Sequence, residues 1–365
     1  MSLRDIIAFP YVPTEAQFVG YANGGAILDT PFLIHNGISD SNGIYAQAVE
    51  DADGRWLRLY PKYGTGTAAV AKLTTFRWPI GDLYGIAASG VFYFGYRFKF
   101  EQVQRTPNAW LTAAVLSIAQ ISNGYYTALL TPADIGLVQV NGMAPVERYI
   151  EIRLDPANRK AKLWVDGVYL KEVTYSTSIS SNPIFLIGDY TSQSTSPKDN
   201  DYYNLSLKDF YVKEVLTADD DYRLGPQVVQ PMTLSAVNAP WAPIDAPDLL
   251  TALTTPISTV ASRNTPVIKV DPGKTPAELQ YSPQHNTAPI NGAMFQVMGM
   301  RDAGTPGVAN VKFSDGTNAT SEVTTLLGQT PTLVSRLVME KNPAGNRLSE
   351  ADMTNGKLII RPTAS

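Results

Sequence analysis

Two groups of carboxylates come nearest to catalytic chemistry in this chain: Glu50-Asp51-Ala52-Asp53 and Glu151-Ile152-Arg153-Leu154-Asp155. Cleaving a glycosidic bond takes two carboxyl groups, one to protonate the leaving oxygen and one to attack or to activate water. A spacing of Glu-x-Asp-x-x-Glu along one strand supplies such groups, and neither cluster has it. Glu50 to Gly54 reads as a turn ahead of a strand at Trp56, because Asp-Gly tolerates turn geometry. Glu151 and Asp155 fall on the solvent face of their strand, with Arg153 between them. The expectation is that neither pair is catalytic and that the protein is not an enzyme.

Other chemistry finds even less support. Asp199, Asn200 and Asp201, with Asp189, form one oxygen-rich group, and Asp219 to Asp221 form another. Calcium takes such ligands, but neither group has a calcium-loop spacing, so both read as solvated loops. His35 and His285 lack a second histidine at metal-ligand spacing. No cysteine is present, which removes disulfides, thiolate zinc sites and cysteine nucleophiles. No Gly-x-Ser-x-Gly elbow occurs. Gly64-Thr65-Gly66-Thr67 lacks the lysine of a phosphate-binding loop. No cofactor and no metal are expected. Aromatic side chains beside loops are a separate matter. Tyr125, Tyr126, Tyr190, Tyr202, Tyr203 and Trp241 could stack on sugar rings or pack in an interface.

Net charge is −4 and no basic run exists, so nucleic acid is not an expected partner. No apolar run approaches the length of a membrane helix, and the N-terminus lacks the apolar stretch of a signal peptide. At 365 residues, with 44% hydrophobic and 17% charged residues, the chain suits a folded β-rich protein of more than one domain.

The elements are strands. Ile150, Ile152 and Leu154 alternate with Glu151, Arg153 and Asp155, the period of a strand with one face in a core. Asp155-Pro156-Ala157-Asn158 breaks that strand. Leu163-Trp164-Val165 and Val168 to Val173 follow, joined by Asp166-Gly167, a hairpin dipeptide. Phe94, Tyr96, Phe98 and Phe100 share one face of a long aromatic strand, in which Gly95 predicts a bulge or a close backbone approach. Trp56 to Tyr60, Trp110 to Ile121, Tyr125 to Leu130, Ile135 to Val140, Pro183 to Asp189 and Tyr203 to Val212 complete the first region. The prolines at 226, 231, 240, 243 and 247 predict extended chain, either a semi-rigid inter-domain linker or a long ordered loop crossing the first sandwich with Trp241 as its anchor. Ala293 to Arg301, Val308 to Phe313, Leu333 to Lys341 and Lys357 to Arg361 predict a second sandwich. Asp315-Gly316 and Asn355-Gly356 are its expected turns, and Ser349 its expected helix N-cap. The expected domains are 1–215, a 216–250 linker, and 251–365.

The strand-turn-strand hairpin Tyr149 to Val173, with Leu163-Trp164-Val165-Asp166-Gly167, and the late strand Leu207 to Val212 resemble the concanavalin A-like (laminin-G-like) jelly rolls. The fold implied is all-β, a jelly-roll sandwich followed by a smaller β-sandwich. The chain from about residue 90 onward also resembles tailed-bacteriophage virion proteins. The carrying residues are Arg223-Leu224-Gly225-Pro226, Trp241, Asn342-Pro343-Ala344-Gly345-Asn346 and Leu348-Ser349-Glu350-Ala351-Asp352 before a terminal strand. Here Leu348 stands where an aromatic is usual. That resemblance implies a non-enzymatic structural component of the virion, a capsid decoration or a tail, collar or fibre protein. Its partners would be capsid or tail subunits and further copies of itself. The alternative is a carbohydrate-binding adhesin for host surface glycans.

Overall fold

The computed structural model describes residues 2–9, 12–18, 26–27, 29–34, 44–61, 75–86, 90–104, 115–120, 124–136, 145–179, 182–188, 202–263, 265–283, 289–301, 307–330 and 332–363. The chain divides into two compact units. One is Ile7–Val228 with Ser2; the other is Val229–Ser365 with Leu3–Ile6. The fold is all-β, a concanavalin A-like jelly-roll sandwich followed by a smaller β-sandwich. No helix among the described residues is long and apolar enough to cross a membrane.

After β1 (Leu3–Ile7), the first unit contains β2 (Gln17–Phe18), β3 (Leu33–Ile34), β4 (Ile44–Asp51), β5 (Gly54–Pro61), β6 (Thr75–Trp78) and β7 (Val91–Gln104). It continues with β8 (Leu116–Gln120), β9 (Tyr125–Leu130), β10 (Val146–Asp155), β11 (Lys160–Val165), β12 (Val168–Thr174), β13 (Ile184–Gly188) and β14 (Tyr202–Val215). A large antiparallel sheet runs β12-β11-β10-β7-β14-β5-β4-β2, and a smaller one runs β3-β6-β13-β8-β9. Alternation decides what lies between them. Phe94, Tyr96, Phe98 and Phe100 of β7 and Ile150, Ile152 and Leu154 of β10 are buried together with Phe76, Trp78, Phe185 and Ile187 of the small sheet. Trp78 sits at the centre, its ring 5.4 Å from Phe94 and 5.5 Å from Phe210, both edge-on. Such pairs add about 0.5–1.5 kcal/mol each beyond the area they bury.

The meander forms as the sequence predicts. Asp166 and Gly167 take φ of 49° and 83° in the two-residue turn between β11 and β12. The turn between β10 and β11 places Arg159 at positive φ. Ile135, expected to begin a strand, instead ends a 3-10 turn at Ala133–Ile135. The cause is Asp134, whose carboxylate accepts from Thr131 N at 2.7 Å and from Lys171 at 2.6 Å, closing the chain into a turn. Of the strand expected over Trp110 to Ile121, β8 is present; residues 105–114 and 121–123 lie outside the described residues.

One irregularity sets the chemistry of the large sheet. In β14 the core side chains are Leu205 and Leu207, then Phe210 and Val212. The alternation therefore slips by one residue. Lys208 pairs with Arg97 but Tyr211 pairs with Gly95, so β14 carries an extra residue, and Asp209 takes φ of 58°. This is a β-bulge, and it turns Tyr211 and Lys213 onto the face opposite the core. The bulge lies on β14, whereas Gly95 itself provides the close approach. A methyl there would overlap the Tyr211 ring and the Tyr149 hydroxyl.

The second unit contains β15 (Met232–Asn238), β16 (Ala242–Pro243), β17 (Ile268–Lys269), β18 (Ala277–Pro283), β19 (Ala293–Gly299), β20 (Val308–Ser314), β21 (Val323–Leu326), β22 (Thr332–Met339) and β23 (Lys357–Thr363). A sheet in the order β15-β18-β23-β20-β21 packs on the β19–β22 ribbon, with Phe295 stacked on Phe313 at 5.3 Å. Leu3–Ile6 belongs to this unit: Asp5 pairs with Arg336 at 3.0 Å.

The segment 216–250 is not linker throughout. Residues up to Val228 lie with the first unit, and β15 is a regular strand. Proline flanks β15 at Pro231 and Pro240, and β15 is an edge strand, where missing donors cost least.

The helical turn at Ser349 forms. Ser349 accepts from Asp352 N at 3.2 Å and Asp352 accepts from Ser349 N at 2.8 Å, a capping box at the start of the helix Glu350–Asn355. Asn342 of the Asn-Pro-Ala-Gly-Asn turn reaches the same Asp352 at 3.0 Å, while Leu348 and Met353 enter the core. Gly356 is not a turn glycine. Its φ is −74°, and it is small because a side chain would overlap the Phe313 ring.

Candidate functional site

Among the described residues, the face of the large sheet opposite the core carries most of the buried charge. β10 supplies Tyr149, Glu151 and Arg153; β7 supplies Tyr93, Arg97 and Lys99; β14 supplies Lys208, Asp209, Tyr211 and Lys213; β5 supplies Trp56. Glu151, Lys208, Asp209 and Lys213 are all buried. Charges leave water only when paired, and here the pairs are local. Arg97 bridges Asp209 at 3.1 Å and Glu147 at 3.0 Å. Lys208 lies 4.1 Å from the Trp56 ring centre and donates to the Asp53 carbonyl at 2.5 Å, in the turn between β4 and β5.

The centre of the face is Glu151, and it is only 1% exposed. The expectation that it points to solvent is overturned. The segment 217–228, leaving β14, lies across the face as a strap. Arg223 donates to Glu151 at 2.8 Å, Gly225 N donates at 3.1 Å, and the Tyr211 hydroxyl donates to the same carboxylate. The Arg223 guanidinium also lies 4.9 Å from the Trp164 ring centre. Lys213 donates to the carbonyls of Asp220 and Tyr222 and sits 3.3 Å from the Tyr222 ring centre. The Arg-Leu-Gly-Pro exit noticed in the sequence is thus the clamp of this strap.

Two of the acidic trio, Asp220 and Asp221, are spent in the same way. Asp220 accepts from Thr217 N at 3.1 Å and closes a capping box. Asp221 accepts from Arg153 at 2.9 and 2.8 Å and from the Tyr93 hydroxyl at 2.7 Å. Among the described residues no group of three or more potential metal ligands is assembled. Asp189, Asp199, Asn200, Asp201, His35, His285 and Gly64 to Thr67 lie outside the described residues. Asp51 of the first carboxylate group accepts from the Trp56 indole at 2.9 Å and pairs with Lys99 at 3.2 Å, while Glu50 pairs with Arg55.

Electrostatics fix what these groups can do. Burial, then the neighbouring Glu151 charge, pushes the Tyr149 and Tyr211 phenols up; burial, then the bond to Asp221, does the same at Tyr93. All three stay protonated near neutral pH, and the Tyr211 and Tyr93 hydroxyls donate, to Glu151 and Asp221 respectively. The Arg153 hydrogen bond, working against burial and aided by Tyr93, holds the Asp221 carboxyl at about 2. A carboxyl lowered in the folded state stabilises above its unfolded value of about 3.9, and that contribution is lost as pH falls towards the folded value. Acid from about pH 4 to pH 2 is therefore expected to loosen the strap. Acid unfolding followed by tyrosine fluorescence checks this: Asp221→Asn should flatten the pH dependence in that window, and an unchanged slope would remove Asp221 from the account.

The aromatic candidates separate. Tyr125 is 51% and Tyr126 39% exposed at the start of β9, an edge strand. Tyr202 and Tyr203 begin β14, with side chains outside the described residues, as is Tyr190. Trp241 is half-buried and donates its indole N–H to the Thr275 carbonyl at 2.9 Å. The site does not bring these together; Tyr125 and Tyr126 are on the small sheet and Trp241 is in the second unit. Sequence reasoning missed Arg223, Asp209 and Tyr211 as site residues. The slip from Leu207 to Phe210 was the available signal.

No protein-family model matches this sequence, and no curated protein matches it. Three solved structures illustrate what the fold is similar to. A sialidase aligns over 50% of this chain and 17% of its own length, at 14% identity and a TM-score of 0.28. A carbohydrate esterase from the Shiga toxin-encoding bacteriophage phi24B aligns over 58% and 100%, at 12% identity and 0.28. The botulinum neurotoxin serotype D binding domain aligns over 97% and 98%, at 10% identity and 0.25. The class follows from the chain's own sheets: a jelly-roll protein with a smaller β-sandwich behind it in sequence.

Proposed function

We propose that this protein is a non-enzymatic structural component of a tailed-phage particle, a capsid decoration or a tail, collar or fibre subunit, that acts by protein–protein docking. The single observation that carries the non-catalytic part is Glu151. The carboxylate at the middle of the polar face is buried and satisfied by three donors, two of them from the chain's own strap. The chain's own strap occupies that carboxylate, which supports a role without catalysis. The virion assignment rests on the sequence resemblance in the Arg223 to Pro226 exit, Trp241 and the Asn342 to Asp352 ending. Large apolar side chains at sheet edges fit docking: Val168 and Tyr169 on β12, and Leu326 on β21, which is 74% exposed. Interfaces bury such anchors inside a polar rim, and repeated copies on a lattice gain through multivalency.

Quantitative mass spectrometry of purified virions tests the proposal. The expected result is a fixed stoichiometry relative to the major capsid or tail subunit, with antibody label at one location. Absence from washed particles would end it. A second reading, a glycan-binding adhesin, draws on exposed Tyr125 and Tyr126, because a sugar ring stacks on an open aromatic face. A glycan array with the full chain and with Tyr125→Ala separates the two: binding lost in the variant favours the adhesin.

A further inference from the structure

The face of the small sheet that points away from the core holds two polar side chains without partners. In β6, Phe76 and Trp78 enter the core, so Arg77 lies on the other face; in β8, Leu116 and Ile118 enter the core, so Ser117 does the same. Both stand in one row across the sheet. Arg77 pairs with Leu186 of β13, and Leu186 pairs with Ser117. Arg77 and Ser117 therefore flank Leu186, about 10 Å apart at the backbone. Ser117 is 1% exposed and Arg77 is half-buried. Among the described residues, the Arg77 Nε and the Ser117 Oγ are buried and have no hydrogen-bond partner. We infer that these two side chains bind a carboxylate group, the Arg77 guanidinium from one side and the Ser117 hydroxyl from the other.

The chemistry of the pair selects an anion. Arginine offers five N–H donors and no acceptor, and a serine hydroxyl can donate as well. Buried polar groups of this kind are nearly always paired, and a charge leaves water only against an opposite charge. Arg97 and Arg153 on the large sheet obey that rule, meeting Asp209 at 3.1 Å and Asp221 at 2.8 Å. Arg77 forms no ion pair among the described residues. Burial pushes its guanidinium down, and Asp82 in the short helix Ile80–Tyr84 only offsets this through its charge. An acceptor lying over Leu186 meets both donors, because an arginine side chain is long enough to reach across one strand.

The surroundings select a carboxylate among anions. Leu186, Ile184 and Ala119 form a small buried cluster of their own on this face, apart from the main core. One negative charge balances the one arginine, whereas a phosphate dianion would leave a second charge uncompensated over that apolar floor. The planar guanidinium matches a planar carboxylate through two parallel N–H bonds. The apolar floor suits the carbon skeleton that a carboxylate brings with it and that chloride lacks. The carboxylate can belong to a free organic acid or to an acidic side chain, and the probes below separate these. The inference goes beyond the docking proposal and does not rest on it, since it is read by ligand binding rather than by assembly.

Nitrogen-15 NMR on the full chain, labelled at arginine, tests it, because each guanidinium Nε–H gives its own signal and Arg77→Gln identifies the one from Arg77. The probes are sodium acetate and sodium glucuronate as free acids, the α-amide of N-acetylglutamate as an acidic side chain, and sodium chloride and sodium phosphate as controls. The expected result is a saturable shift of the Arg77 signal with at least one carboxylate, with a dissociation constant of about 1–10 mM, and none with chloride or phosphate. The tighter of the two kinds of carboxylate names the source. Ser117→Ala should weaken the binding about three- to tenfold, since one hydroxyl donor is lost. Without any carboxylate, Arg77→Gln and Ser117→Ala should melt no lower than the wild-type chain, because each removes a buried polar atom that has no partner. No shift with any carboxylate, an equal shift with chloride or phosphate, or unchanged affinity in Ser117→Ala would overturn the inference. So would a fall of more than about 3 °C in the melting temperature of ligand-free Arg77→Gln, which would make Arg77 a structural group.

Discussion

Replacing Glu151 by alanine is expected to cost the first unit about 3 kcal/mol of stability, because breaking a buried ion pair strands the partners left behind. Three donors lose their acceptor at once: the Arg223 guanidinium, the Tyr211 hydroxyl and the Gly225 N–H. Arg223 is 30% exposed in its side chain and recovers some hydration, which places the loss at the lower end of the range. The Tyr211 hydroxyl cannot recover in this way, because Tyr211 is itself buried. Glu151→Gln keeps an acceptor oxygen and should cost about half as much. The effect is also local. With Glu151 gone the strap loses its central tie, so trypsin should cut after Arg223 faster than in the wild-type chain. Urea denaturation measures the energy and timed proteolysis measures the release. A loss below about 1 kcal/mol with unchanged cleavage would show that the strap is held elsewhere.

Gly95→Ala is expected to be as damaging by a different route. The added methyl lands on the Tyr211 ring, with a second ring carbon at 2.8 Å, and on the Tyr149 hydroxyl. Overpacking a tight interior costs about 1–3 kcal/mol. The upper end applies here because neither tyrosine can retreat. Both are buried, and the Tyr211 hydroxyl is fixed on Glu151. Relief would require β7 and β14 to separate at the bulge, which would disturb the Arg97–Asp209 pair next to it. Thermal unfolding and near-ultraviolet circular dichroism check this together. A variant with native melting and an unchanged aromatic spectrum would show that the space at Gly95 is not needed.

Much of the fold was legible from alternation. The core faces of β7 and β10, the Asp166-Gly167 hairpin and the Ser349 capping box all depend on neighbours within a few residues, so short-range pattern suffices. The C-terminal unit was only half legible. β15, β18 and β21 were not predicted: β15 sits among prolines, β21 is four residues long, and in β18 the alternation of Ala277, Leu279 and Tyr281 with Glu278, Gln280 and Ser282 was legible but runs into Pro283. Gly356 was misread for a related reason: the neighbour that requires a glycine is Phe313, far away in sequence.

The sequence by itself determined which side chains share a face, that the chain is built of strands, and that no thiol or nucleophile-elbow chemistry is available. Only the tertiary structure decided that Glu151 is buried, that Tyr211 and Lys213 turn away from the core, and that Asp221 and Arg223 hold a strap over the polar face. The physical reason is one of range. Alternation records on which side of its own strand a residue lies, but whether that side meets water depends on a segment some seventy positions later in the chain, and no local period encodes that meeting.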